Sequence, residues 1–155
     1  MKDALMSAVS DLGDHIGYWL RMVSNAISHD FAQKVAAEGV TVAEWAFLRA
    51  LYDVESIAPS ALADRMGMTK GAISKLADRL LEKLLVLRTD NPDDKRAHSL
   101  SLSPAGREKV PVLAQIADRN DADYFSTLPT AEREALRQTL RTLADKRGLS
   151  IIPID

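Results

Sequence analysis

The chain has 155 residues, 46% apolar and 27% charged, which is enough for one globular core and too apolar for a disordered chain. It has no cysteine, which excludes disulfides, thiolate metal sites and thiol redox sensing. Its formal net charge of -2 excludes a uniformly basic binder, but nine bases stand against five acids between Arg65 and Arg107, a basic module in an acidic body.

The opening M-K-D-A-L-M-S-A-V-S-D has no sustained apolar region, and no run reaches the roughly 18 apolar residues of a membrane span. A cytoplasmic protein with no membrane partner is expected. Over residues 11–38, Leu12, Ile16, Trp19, Val23, Ile27, Phe31 and Val35 recur every three or four positions. That spacing predicts one long amphipathic helix ending at Gly39. So long a stripe needs helices of this chain or of a second chain along it. Thr41-x-x-Glu44 fits a capping box opening a second helix with Trp45, Leu48, Leu51 and Tyr52 inward.

Residues 53–58 read as a connection. Pro59 suits the first position of a third helix, with Leu62, Ala63 and Met66 inward and Gly67 as its stop. Thr69 caps a fourth, in which Ile73, Leu76, Ala77 and Leu80 share one face and Lys70, Gly71, Ser74, Lys75 and Asp78 the other. Val86–Asp90 and Ala97–Ser103 read as strands around an Asn91–Arg96 turn. Ser103-Pro104 restarts helix, with Val110, Leu113, Ile116 and Ala117 apolar, and Pro111 should kink or split it. Thr130 reads as the cap of a last helix carrying Leu136, Leu140 and Leu143, and Gly148 as its end. The Ile-rich tail should pack on something. The fold class is mainly α with a small β-hairpin (α+β), a winged helix-turn-helix between terminal helices.

The runs A-L-A-D-R-M-G-M-T-K-G-A-I-S-K-L-A-D-R-L and D-N-P-D-D-K-R-A-H-S-L-S-L-S-P-A-G-R, with G-V-T-V-A-E-W-A-F-L-R-A-L before them, resemble the MarR family of bacterial transcriptional regulators. The resemblance covers nearly the whole chain. It implies a single domain over 1–155, with a winged-helix DNA-binding lobe at 42–103 and dimerisation helices at 11–38 and 104–148. It implies a homodimer on a pseudo-palindromic double-stranded operator, recognition helices in successive major grooves and wings along the flanking minor grooves. It also implies repression relieved by a small aromatic or phenolic effector bound between the dimer helices and the lobe. Two positions depart from the family pattern. Asn91 stands where the wing signature has aspartate, so any charged anchor must come from Asp93 or Asp94. Leu84 stands where glycine is common; because left-handed backbone strains leucine, a different helix exit is expected there.

Lys70, Ser74 and Lys75 are the candidates for base edges, because lysine donates to guanine and serine meets any base. Thr69 and Gly71 sit at the helix start, where backbone N–H groups meet phosphate. Arg79 contacts phosphate or pairs with a neighbouring acid. Arg96 is the minor-groove probe, with Lys95 assisting through phosphate. Arg65 and Arg88 read as structural or phosphate-contacting. His15, Tyr18, Trp19, Met22 and Trp45 are the candidate effector-cavity residues, with Arg21 or Arg49 to meet a carboxylate. His15, His29 and His98 share no metal-ligand spacing, so no metal or cofactor is expected. An enzyme is not expected, for want of a nucleophile motif, phosphate loop or metal cluster. The competing class is a winged-helix interaction module without DNA binding, whose recognition face would be acidic or apolar.

Overall fold

The computed structural model describes residues 9–154, apart from the Lys95 side chain. The reading of the first eight residues and the Lys95 contact therefore lie outside the described residues. In order, the elements are a 3-10 turn Leu12–Asp14, α1 (Ile16–Ala36), α2 (Val42–Tyr52), α3 (Pro59–Met66), α4 (Lys70–Glu82), β1 (Val86–Asn91), β2 (Asp94–Leu102), α5 (Pro104–Phe125) and α6 (Thr130–Lys146).

The first helix is shorter than its stripe suggests. The Asp11 N–H donates to the Asp14 carboxylate at 2.9 Å, and the Trp19 indole N–H donates to the Gly13 carbonyl at 2.8 Å. These local bonds close a separate turn, and His15 is extended (φ -95°, ψ 124°) before α1 begins. Leu12 thus leaves the stripe. Gly39, Gly67 and Gly148 end their helices at positive φ, as expected.

A core of Val35, Phe47, Leu48, Leu51, Leu62, Met66, Ile73, Leu80, Val86, Leu100 and Leu113 holds α2, α3, α4 and the base of the hairpin on α1 and α5. Phe47, absent from the expected inward face of α2, is fully buried. The capping box is half formed. Thr41 Oγ1 accepts from the Glu44 N–H at 3.1 Å, while the Glu44 carboxylate turns inward to Lys83 Nζ at 2.7 Å. Nζ also donates to the Gly39 carbonyl at 2.8 Å, so one ammonium ties the end of α4 to the α1–α2 joint.

The α4 exit corrects the expectation for Leu84, which adopts φ 61°. The Leu85 N–H reaches Leu80 O at 3.0 Å and the Leu84 N–H reaches Leu81 O at 3.1 Å, the two bonds of a Schellman stop. Leu80 and Leu85 are both buried, which supplies the hydrophobic contact of that motif. Ser103 holds the next step, its Oγ donating to Leu84 O at 2.7 Å and accepting from the Gly106 N–H at 3.0 Å. Gly106 is required there, because a Cβ would stand 2.0 Å from Leu85 O. Tertiary bonds thus impose a conformation that leucine alone disfavours.

The wing is tighter than expected. β1 and β2 are antiparallel, Asn91 pairs with Asp94, and the register shifts between Asp90 and Asn91. Asp94, Lys95 and Arg96 therefore belong to strand rather than turn. Asn91 Oδ1 accepts from the Asp93 N–H at 3.0 Å and Asp94 Oδ1 from the Arg96 N–H at 2.9 Å. The asparagine makes the turn bond, and Asp94 supplies the charged one. Ile57, in the stretch read as a connection, exchanges both backbone bonds with Leu100 at 2.9 and 2.8 Å and pins the wing to the lobe.

Of the kink or split expected at Pro111, the split does not occur: α5 runs unbroken through it. Pro129, not Thr130, is the cap of α6. The tail packs as expected, with Ile152 partly buried against the core.

Candidate nucleic-acid interface

The Gly67-Met68-Thr69 turn sets α4 at an angle to α3. Gly67 at φ 63° reverses the chain, the Met68 N–H caps Ala63 O at 3.0 Å, and Thr69 Oγ1 accepts from the Ala72 N–H at 3.1 Å. Burial of Ile73, Leu76, Ala77 and Leu80 then fixes which face of α4 turns outward.

That outward face carries Thr69, Lys70, Gly71, Ser74, Lys75 and Arg79, all exposed. Arg96 is exposed on the wing. Among the described residues, Lys70, Lys75, Arg79 and Arg96 take part in no ion pair, so their charges are available to a polyanion. The pairing of Arg79 with a neighbouring acid is accordingly not seen. Other bases are engaged. Arg88 Nε meets Asp90 at 3.4 Å, and Arg107 bonds the Tyr52 carbonyl and covers its ring. The backbone N–H groups of Lys70 and Gly71 lie in the first turn of α4, where anions are favoured. Ser74 and Asp78 also border a crevice with Arg88 and His98, where wing and recognition helix meet.

The expected effector residues are not gathered together. His15 precedes α1, Tyr18 and Trp19 stack edge to face at 5.3 Å on its outer side, and Met22 is exposed beside them. Of the five, Trp45 lines a cavity. That cavity, ≈ 320 Å³, lies between α1, α2 and α5 and is walled by Ile27, Phe31, Trp45, Ala117, Asn120 and Ile152, among others. Sequence reasoning missed Phe31 and Asn120 as cavity residues. Phe31 was visible as part of the α1 stripe, whereas nothing local marks Asn120. Buried Asn120 accepts from Lys34 Nζ at 2.8 Å and donates to Ile27 O at 3.3 Å, bracing α1 on α5. Arg49, a candidate partner for a carboxylate, is bonded to Asp53 at 2.7 Å. Among the described residues no group of three or more His, Asp or Glu is placed to hold a metal, and no helix is long and apolar enough to cross a membrane.

A capped recognition helix whose basic face has no ion pair among the described residues, backed by a hairpin pinned to its own lobe, is a winged helix-turn-helix for duplex DNA. The MarR family model matches residues 38–97. A putative transcriptional regulatory protein for the hcr operon of Thauera aromatica is 30% identical over 133 residues, 85% of this chain and 80% of that one. The HTH-type transcriptional repressor MdtR of Bacillus subtilis (strain 168) is 32% identical over 127 residues, 82% of each. A probable transcriptional regulator from Pseudomonas aeruginosa superposes with TM-score 0.74 at 30% identity, covering 86% of this chain and 99% of that one. The chain belongs to the MarR family; it is a DNA-binding transcriptional regulator and not an enzyme.

Proposed function

We propose that the protein is a homodimeric repressor that reads a pseudo-palindromic operator and is released by a small aromatic effector. The observation that carries the DNA-reading part is the row Lys70, Ser74, Lys75 and Arg79 on one outward face, with no ion pair on its bases among the described residues. An interaction module would show an acidic or apolar face there, so this row favours DNA. In this reading Thr69, Lys70, Gly71, Ser74, Lys75 and Arg79 meet the major groove and its phosphates, and Arg96, with Lys95, reaches the minor groove.

The dimer is supported by apolar surface that one protomer leaves uncovered. Ile16, Trp19, Leu20 and Val23 on α1 and Leu136, Leu140 and Leu143 on α6 are all exposed, and α6 buries none of its residues. Two recognition helices related by a two-fold axis then call for half-sites about one helical turn apart. The cavity at Phe31 and Trp45 supports the effector. Repression is the role named for the Bacillus subtilis relative. Selection of bound duplexes from a random pool tests the proposal. A recovered palindrome is the expected result, and a pool with no enriched sequence would overturn it.

A further inference from the structure

Residues 150–154 touch both the effector cavity and the turn of the helix-turn-helix. α6 stops at Gly148 (φ 63°), and the Leu149 N–H returns to Ala144 O at 2.9 Å. The chain then comes back to the end of α3. The Ile152 N–H donates to Met66 O at 3.4 Å, on the last residue of α3. Ile151 lies on Gly67 so closely that a Cβ there would stand 3.1 Å from the Ile151 Cα. Ile152 and Pro153 form part of the cavity wall beside Phe31 and Trp45. On its other side Ile152 borders a second crevice, ≈ 510 Å³, that includes Arg49, Arg65 and Met66. Trp45, Ala46 and Ile152 border both. Ile152 of the tail therefore stands, with Trp45 and Ala46, between a cavity toward α1 and α5 and a crevice toward α3.

We infer that residues 150–154 form an internal strap that closes the effector cavity and holds the end of α3, and that a flat apolar ligand acts by displacing it. This rests on the ligand-responsive reading of the cavity and supplies its moving part. The strap is held by half-buried Ile152 and Ile154, the contact of Ile151 on Gly67 and one long hydrogen bond, with no fully buried side chain among its residues, a contact of the low-stability kind that a ligand can replace. Met66 lies three residues before Thr69, the cap of the recognition helix, so freeing the strap loosens the turn that aims α4. DNA then has to re-order that turn, which weakens its binding.

The test uses the full chain with Trp19→Phe, which leaves Trp45 as the only tryptophan. Ile152→Asp should shift Trp45 emission to the red and increase its quenching by acrylamide, without DNA present. It should also raise binding of the dye anilinonaphthalene sulfonate and weaken operator binding about fivefold to tenfold, while helicity by circular dichroism is kept. A synthetic peptide of residues 149–155 should compete the dye away. Leu149→Ala, an exposed site outside the cavity, should match the parent. Ile152→Ala should move every readout the same way by less, and it serves if the aspartate variant does not fold. Unchanged Trp45 emission and dye binding would overturn the docked strap. Exposed Trp45 with unchanged operator affinity would overturn the coupling. Because Trp45 is read without DNA or effector, a parent protein whose operator affinity ignores aromatic ligands would count against the ligand-responsive reading separately.

Discussion

Leu84 keeps a left-handed backbone with its side chain 73% exposed, so it accepts strain and has little packing in return. Leu84→Gly relieves roughly 1–2 kcal/mol of that strain and loses some of it to the greater freedom of unfolded glycine. The expected net gain is about 1 kcal/mol, read as a melting temperature higher by about 2–4 °C; an unchanged or lower value would contradict the strain. Glu44 is the opposite case. Its carboxylate is 1% exposed, and Lys83 accounts for both of its oxygens, at 3.0 and 2.7 Å. Lys83→Met leaves that carboxylate buried and unpaired, and should cost about 3 kcal/mol by urea denaturation. A loss within experimental error would mean the pair contributes nothing.

Among elements, the recognition helix and the α1–α5 seam each carry a test. Lys75→Ala removes one exposed base from α4 without touching its buried face. It should weaken operator binding by about 1–3 kcal/mol and flatten the salt dependence, with the fold intact. Equal affinity at every salt concentration would take Lys75 off the interface. At the seam, the Tyr124 hydroxyl donates to the Asp30 carboxylate and bridges α5 to α1. That bond raises the Tyr124 pKa above the usual tyrosine value, helped by desolvation and by the negative charge of Asp30 and Asp123. The folded pKa is raised, so the contribution is fully present below the unfolded value and is lost as pH climbs through the folded one. The melting difference between parent and Tyr124→Phe should therefore hold at neutral pH and shrink in strongly alkaline buffer. A difference that does not change with pH would sink the assignment.

For the whole molecule, the question is what covers α6. It lies at the end of the chain with no buried residue and a stripe of leucines. A second copy, as proposed above, would cover these exposed apolar faces of α1 and α6. Sedimentation at micromolar concentration should find a dimer, and Leu140→Glu with Leu143→Glu should shift it toward monomer. A parent chain that sediments as a folded monomer would remove the two-fold arrangement, and with it the palindromic operator. In the proposed dimer, α1, α5 and α6 would set the spacing of the two α4 helices and with it the half-site separation.

Much of the fold could be read from the sequence because its signals are local. Thr69 before an apolar-periodic run, Gly67 ahead of it and Ser103-Pro104 after the wing each act within one helical turn, and each is found where expected. The outward row of α4 followed from the same periodicity, since burying Ile73, Leu76 and Leu80 leaves Lys70, Ser74 and Lys75 outside. What the sequence could not show depends on partners far along the chain. Glu44 fits a capping box until Lys83, 39 residues away, takes its carboxylate. Leu84 argues against a left-handed exit until Ser103 and Leu80 impose one. The cavity is assembled from α1, α2, α5 and the tail, so no run of neighbours reveals it. Caps and periodicity are short-range, with free energies set by adjacent residues, whereas ion pairs, strained stops and cavities exist only once the chain has brought distant groups within a few ångströms of each other.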